Sequence, residues 1–419
     1  MINSDPVFAR RVCAMVRQFL HDPLYKNSIF IFLNSIAATG FGFIFWVIAA
    51  KLYSPQDIGI ATALISSQSL LVLLSRFGLD TSLIRFFPEM DKSRIFSTSI
   101  ILTNTTAAFL GLAFLSAIDI LSPQLNFLKT VPNAITFILF LLASSAVSLT
   151  GITFIAMRKA EYSLIQSIMI GSRVIFVFPL AFMGSMGIFS AVGISFILAL
   201  LISLALLIRY EIRPSLYVDR CFLKNAFHFC SGNYISSLLT TAPNQLLPLM
   251  ILSILGASET AHYYIAATIA SPLFMVPGAV SMSLFVEGSH GESLRKNAMK
   301  SLFITFAILI PLIGIFYFLG GYFLDLVGKS YVEGFGMLRA LAFSSVFVAI
   351  YQIYFSVKMV HKDVKGLILL SALAFTLIIG LSYAFMNIAG LIGIGYAWIF
   401  GYGLCSLIVG FWAKRAGWK

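Results

Sequence analysis

Charge is what this chain has least of. Of its 419 residues, 11% are Asp, Glu, Lys or Arg, against about 25% in an average soluble protein. That shortage excludes a water-soluble fold for the bulk of the chain, because 40 Phe and 16 Tyr beside 16 acids would leave large apolar patches facing water. Cysteine is sparse as well. Cys13, Cys221, Cys230 and Cys405 show no metal-ligand pairing, and reduced thiols are the default expectation. The five histidines are scattered without a partner at ligand spacing, so neither a metal site nor a cofactor is expected. No segment between apolar runs is long enough to fold as a basic module with interleaved aromatics, so the net charge of +12 does not call for nucleic acid.

What is present is apolar length. Runs of about 20 predominantly apolar residues, enough to cross a bilayer as helix, occur at 27–50, 58–80, 95–119, 132–155, 162–183, 187–208, 231–254, 260–285, 300–320, 335–357, 366–388 and 391–413. The expected fold is an all-α polytopic membrane protein with about twelve transmembrane helices. Only "MGSMG" divides the fifth run from the sixth. With both termini placed in the cytoplasm, 22 of the 28 basic residues fall in cytoplasmic segments, four in outer loops (Lys51, Lys129, Lys329, Arg339), and Arg76 and Arg173 within spans. This asymmetry follows the retention of positive loops inside, and it makes most of the net charge a matter of topology.

The longest connection, "RYEIRPSLYVDRCFLKN", cuts the spans six and six. The expected organisation is a cytoplasmic or interfacial segment 1–26, an N-lobe 27–208, a cytoplasmic connector 209–230, a C-lobe 231–413 and a tail 414–419. In "PVFARRVCAMVRQFL" the residues Phe8, Val12, Met15 and Phe19 recur at helical spacing among arginines. This suits an amphipathic helix on the inner interface, or else a disordered basic tail. A weak internal repeat pairs "KLYSPQDIGIATALISS" with "ILGASETAHYYIAATIAS". Halves with an even number of spans share an orientation, so their axis would run along the membrane normal.

Polar residues inside spans are the candidate site. A charge at the bilayer centre costs about 2.5–3.5 kcal/mol on insertion scales and turns to a cavity or a partner. Arg173, in "GSRVIFVFP", is mid-span with no acid at comparable depth; it either meets an anionic substrate or bonds to carbonyls and water between helices. Arg76 lies near a span end, where it can snorkel or pair with Asp80 at i+4, and Arg85 in the loop beyond is a candidate headgroup contact. In "TTAPNQLLPL" Pro243 and Pro248 bracket Asn244 and Gln245; each proline frees a carbonyl, so a bend or break beside two amides is expected. Asn34, Thr39, Gly40, Gly42 and Gln68 offer similar polarity in the first half. Ordinary interhelical hydrogen bonding would account for all of these equally.

The stretch "LYSPQDIGIATALISSQSLLVLLSRFGLDTSLIRFFPE", residues 52–89, resembles the polysaccharide flippases of the multidrug/oligosaccharidyl-lipid/polysaccharide superfamily, relatives of the MATE exporters. The resemblance rests on Leu52, Asp57, Gly59, Gly78 and Leu79, and extends to "RKAEYSLIQSIMIGSRVIFVFPL" and "GLIGIGYAWIFGYG". It implies two six-helix bundles that rock about a central cavity. It also implies transport of a glycan linked to a polyprenyl phosphate or pyrophosphate, from the inner to the outer leaflet of the plasma membrane.

Three functions compete on the residues. Buried arginine without buried acid suits a flippase for an anionic lipid-linked glycan, since guanidinium grips phosphate in bidentate fashion. A MATE-like drug or cation exporter would favour a buried carboxylate, and spans one to six offer only Asp80 and Asp119, both at span ends. A membrane-embedded glycosyltransferase, ligase or polymerase should show paired carboxylates, whereas Asp57, Asp119, Glu259, Asp325 and Glu333 are dispersed through short outer loops. "GKS" at 328–330 lacks the earlier glycine of a phosphate-binding loop, so an ion gradient (sodium or proton), the membrane potential or the substrate gradient is the expected drive. No enzymatic role is expected, membrane lipids are the surrounding partners, and a two-lobe transporter can work as a monomer.

Overall fold

A computed structural model describes residues 23–289 and 294–415; the amphipathic stretch anticipated at 8–19 lies outside them. Among the described residues there is no strand, as lipid demands of any chain that does not close a barrel. The α-helices run α1 Pro23–Leu52, α2 Pro55–Ser75, α3 Leu79–Phe86, α4 Lys92–Ser116, α5 Ile118–Leu121, α6 Val131–Ala156, α7 Ala160–Gly171, α8 Arg173–Phe176 and α9 Ser185–Arg209 in the first half. In the second half they are α10 Arg220–Ile254, α11 Ala257–Ser289, α12 Leu294–Val327, α13 Phe335–Val360, α14 Val364–Ala389 and α15 Leu391–Arg415. Eleven of the described helices are long and apolar enough to cross a membrane.

The fifth anticipated span, 162–183, is the exception, because it is not one helix. At Ser172 the hydrogen bonding tightens: its N–H bonds Met169 O and its carbonyl accepts from Ile175 N. Pro179 then contributes no N–H, and a 3-10 turn, Ala181–Met183, finishes the segment. Ala181 N bonds Phe178 O instead of Val177 O, and the Val177 carbonyl so freed accepts the Tyr53 hydroxyl at 2.8 Å. The second span also ends earlier than expected. Phe77 and Gly78 take positive φ, +48° and +76°, and the left-handed Gly78 separates α2 from α3. Conversely, the two prolines of α10 do not interrupt it, since helix runs through both. Its polar first turns, capped by Asp219 accepting from Phe222 N at 3.0 Å, start the helix at Arg220, well before the apolar stretch 234–254.

The hairpin motif of residues 52–59 has a structural explanation. Ser54 caps α2 by accepting from Asp57 N, and Pro55 opens the helix, a favoured first-turn arrangement. Asp57 also accepts from Ser185 N at 3.0 Å, so one carboxylate ties the starts of α2 and α9 together. Gly59 allows α2 to lie against α11: a Cβ there would be 1.8 Å from the Ala257 carbonyl oxygen. The two helices that the internal repeat equates therefore meet at their N-termini.

Helix contacts fall into two sets. In the first, α1 packs on α7, α9 on α6 and α7, and α4 on α6 and α2; in the second, α13 packs on α11, α12 and α15, and α14 on α15 and α10. The sets join mainly through α2, which packs against α10 and α11. One buried cluster runs through this junction, containing Phe45, Tyr53 and Ile58 together with Tyr263, Ile265 and Tyr331. The connector between the sets is laced to α4: Ser97 Oγ accepts from Ser215 N at 2.9 Å, and Thr98 Oγ1 from Asp219 N at 2.8 Å.

Candidate functional site

Arg173 opens α8, at the point where the fifth segment loses its regular helix. Its guanidinium lies over the Phe45 ring of α1, 5.0 Å from the centroid, and a terminal nitrogen would be 3.2 Å from a Cβ on Gly42. It is within electrostatic reach of Tyr264 on α11, whose ring stands 4.6 Å from that of Trp46. At 1.5 Å per residue, Gly42 and Phe45 lie about 10–15 Å inside the Leu52 end of α1, which is mid-depth for a core of about 30 Å. Arg173 Nε is buried without a hydrogen-bond partner. Among the described residues no carboxylate forms an ion pair with Arg173. The guanidinium thus sits where the first half of the chain touches the second, with an aromatic face beneath it and donor capacity unused.

The other anticipated residues do not gather around it. Asn34 lies on α1, eight residues before Gly42, half-buried, with Oδ1 unpartnered. Arg76 directly follows α2, half-buried beside Asp80, next to a second contact between halves where Tyr234 of α10 donates to Leu74 O at 2.9 Å. Arg85 is exposed and paired with Glu89 at 2.5 Å. Gln68 is buried in the first half; its amide nitrogen donates to Phe140 O at 3.0 Å, while its Oε1 has no partner. Asn244 and Gln245 part company: Asn244 is exposed to a cavity, whereas Gln245 is not on its wall.

That cavity, about 610 Å³, lies wholly within the second half, between α10, α11, α13, α14 and α15. Arg173 is absent from this wall. No lining residue carries a charge. Aromatic rings form one side, with Phe274 to Trp398 at 5.2 Å, Trp398 to Tyr402 at 5.4 Å and Tyr351 to Tyr402 at 5.3 Å. Trp398 Nε1, Gln352 Oε1 and Ser281 Oγ line it as buried polar atoms without protein partners. Pro243 leaves the Leu239 carbonyl without its usual helical donor, and both residues border the cavity. Gln352 and Trp398 escaped the sequence reading because each sits among apolar neighbours on a helix that reads as ordinary span. Pro272 and Pro277 in α11, spaced like Pro243 and Pro248, were the available signal.

The architecture is that of a multi-pass α-helical membrane protein. Among solved structures, the lipid II flippase MurJ in an inward closed conformation superposes with a TM-score of 0.72 at 14% identity, covering 91% of this chain and 87% of that one. An inward-facing multidrug resistance MATE family transporter of the MOP superfamily gives 0.70 at 15% identity, with 90% and 94% covered. A MOP superfamily transporter from Pyrococcus furiosus gives 0.60 at 13% identity, with 96% and 97% covered. The family model described as polysaccharide biosynthesis protein matches residues 24–285, and the chain belongs to that family. No curated protein matches it.

Proposed function

We propose that the protein is a secondary-type flippase that moves a lipid-linked oligosaccharide or polysaccharide precursor from the cytoplasmic to the outer leaflet of the plasma membrane by alternating access. The observation that carries this reading is Arg173, a mid-depth guanidinium with a buried, unpartnered Nε at the contact between α1, α8 and α11. A phosphate or pyrophosphate supplies the acceptors this group lacks. The two helix sets act as lobes that rock about the α2 junction, both termini lie in the cytoplasm as the basic residues favour, and the lipid tail stays in the bilayer. In this reading the neutral aromatic cavity of the second half takes uncharged parts of the substrate, since aromatic faces and hydroxyl, amide and indole groups are what sugar rings contact. An ion gradient (sodium or proton), the membrane potential or the substrate gradient is the expected drive, and a monomer suffices.

A MATE-like exporter of amphipathic drugs is the second reading, favoured by the same aromatic cavity. It would want a carboxylate to hold a cation, and none lines that wall. The deciding experiment is leaflet translocation of a labelled polyprenyl-linked oligosaccharide in liposomes. Parent protein should move it, Arg173→Ala should reduce the rate at least tenfold, and Arg173→Lys should keep part of it, with all three inserting equally. Movement untouched in Arg173→Ala would make the guanidinium structural; no movement by the parent across several glycans and ion gradients would turn the assignment to the drug exporter.

A further inference from the structure

We propose that Glu259, His262 and Glu333 form a binding site for one divalent transition-metal ion of the zinc type. Glu259 and His262 lie three residues apart at the start of α11, hence on one face. Glu333 comes from the 3-10 turn Lys329–Gly334 that joins α12 to α13. His262 Nδ1 stands 3.7 Å from Glu259 Oε2 and 3.7 Å from Glu333 Oε2, and the three donor atoms lie within 4.8 Å of one another.

His262 is the residue that calls for a cation. It is 2% exposed, and its Nδ1 is buried without a hydrogen-bond partner while facing two carboxylates. A neutral ring nitrogen with its lone pair turned toward two anionic oxygens is unfavourable unless something positive lies between them. A proton alone spans poorly, because charge-assisted N–H···O bonds close to about 2.7–2.9 Å. An ion with arms of about 2.0–2.2 Å to imidazole nitrogen and carboxylate oxygen holds tetrahedral ligands roughly 3.4 Å apart. The two His262 pairs, at 3.7 Å, need a few tenths of an ångström of closure and the carboxylates up to about an ångström more between themselves, which the part-exposed Glu259 and exposed Glu333 side chains can supply.

The ring is already oriented. Tyr331, almost fully buried, meets it edge-on with centroids 5.9 Å apart and planes at 89°. Gly334 presses the turn against the helix, where a Cβ would be 3.1 Å from the His262 carbonyl oxygen. Imidazole with carboxylates suits zinc better than magnesium or calcium, which prefer all-oxygen sets. Bound there, the ion would clamp the α12–α13 turn to the start of α11, two residues beyond the Ala257 carbonyl that meets Gly59.

The test uses full-length protein in detergent, stripped with chelator and titrated with Zn²⁺ against a chromophoric chelator, with Co²⁺ absorption as a second probe. The expected result is one equivalent of zinc per chain and an intense tetrahedral cobalt spectrum. His262→Ala and the milder, exposed Glu333→Gln should each weaken zinc binding by about tenfold or more, and zinc should raise the thermal midpoint of the parent but not of Glu333→Gln. Absence of stoichiometric zinc in the parent would overturn the site, as would zinc binding unchanged in Glu333→Gln.

Discussion

Two glutamines separate the halves of this molecule. Gln166, in α7, has its amide nitrogen against three acceptors: Val147 O at 3.1 Å, Thr150 Oγ1 at 2.7 Å and Ser203 Oγ at 2.9 Å. Gln352, in α13, has a buried Oε1 with no partner and borders the second-half cavity. The residue type is the same and the consequence opposite. Where helices close around an amide it is glue, of the kind that joins membrane helices routinely. Where they leave space beside it, the amide is open to a ligand or water. The first half is thus closed around Gln166 while the second is hollow beside Gln352, and of the first half's unpartnered polar atoms, Arg173 Nε is the one at the contact with the second half beside Phe45 and Tyr264.

Glycines give the largest expected break in that comparison. A Cβ on Gly193 would lie 2.1 Å from the Phe140 ring, whereas one on Gly278 would lie 3.6 Å from Gln352 Oε1. Gly193→Ala should therefore cost about 2 kcal/mol through overpacking, lowering the thermal midpoint in detergent. Gly278→Ala, at ordinary contact distance, should leave the midpoint nearly unchanged. Equal losses would mean the second half is as tightly filled as the first.

Much of this layout was legible. Apolar runs bounded by basic loops mark spans because lipid tolerates few charges, and eleven of the twelve runs became long helices. The broken fifth segment was not legible. Its change of hydrogen bonding is supported by Tyr53, 124 residues away from Val177, and no local pattern announces such a partner. Among the candidate residues, an unpaired Arg173 could be anticipated from the scarcity of acids at depth. That Gln68 would donate to Phe140 O, and that Asn244 would border a cavity without Gln245, depends on helix rotation that composition does not encode. Glu259 and His262, three residues apart, read as an ordinary polar turn, because their third partner, Glu333, arrives only through the α12–α13 turn.

A finer test replaces the amides themselves. Gln166→Leu leaves the Thr150 and Ser203 hydroxyls without that partner, and interhelical hydrogen bonds in membranes are worth about 0.6–1.7 kcal/mol, so a loss of about 1–2 kcal/mol is expected by thermal unfolding. Gln352→Leu removes an oxygen that bonds nothing in the protein, so stability should hold while transport falls. A stable Gln166→Leu, or transport unaffected by Gln352→Leu, would erase the distinction between glue and wall.

The smallest expected effect belongs to Arg85. Its guanidinium sits 2.5 Å from Glu89 with side chains 51% and 53% exposed, an i,i+4 pair of the kind that contributes under about 0.5 kcal/mol. Arg85→Gln should therefore move neither the thermal midpoint nor translocation measurably. Its value is as the partner of Arg173→Ala: two arginines of one chain, one compensated by an acid in water, the other half-buried with a buried, unpartnered Nε. Loss of transport confined to Arg173 ties the anionic group to the contact between the halves. Loss of equal size in Arg85→Gln would instead place that group against α3, and the Arg173 guanidinium, with its Nε unpartnered at mid-depth, would then need a structural explanation.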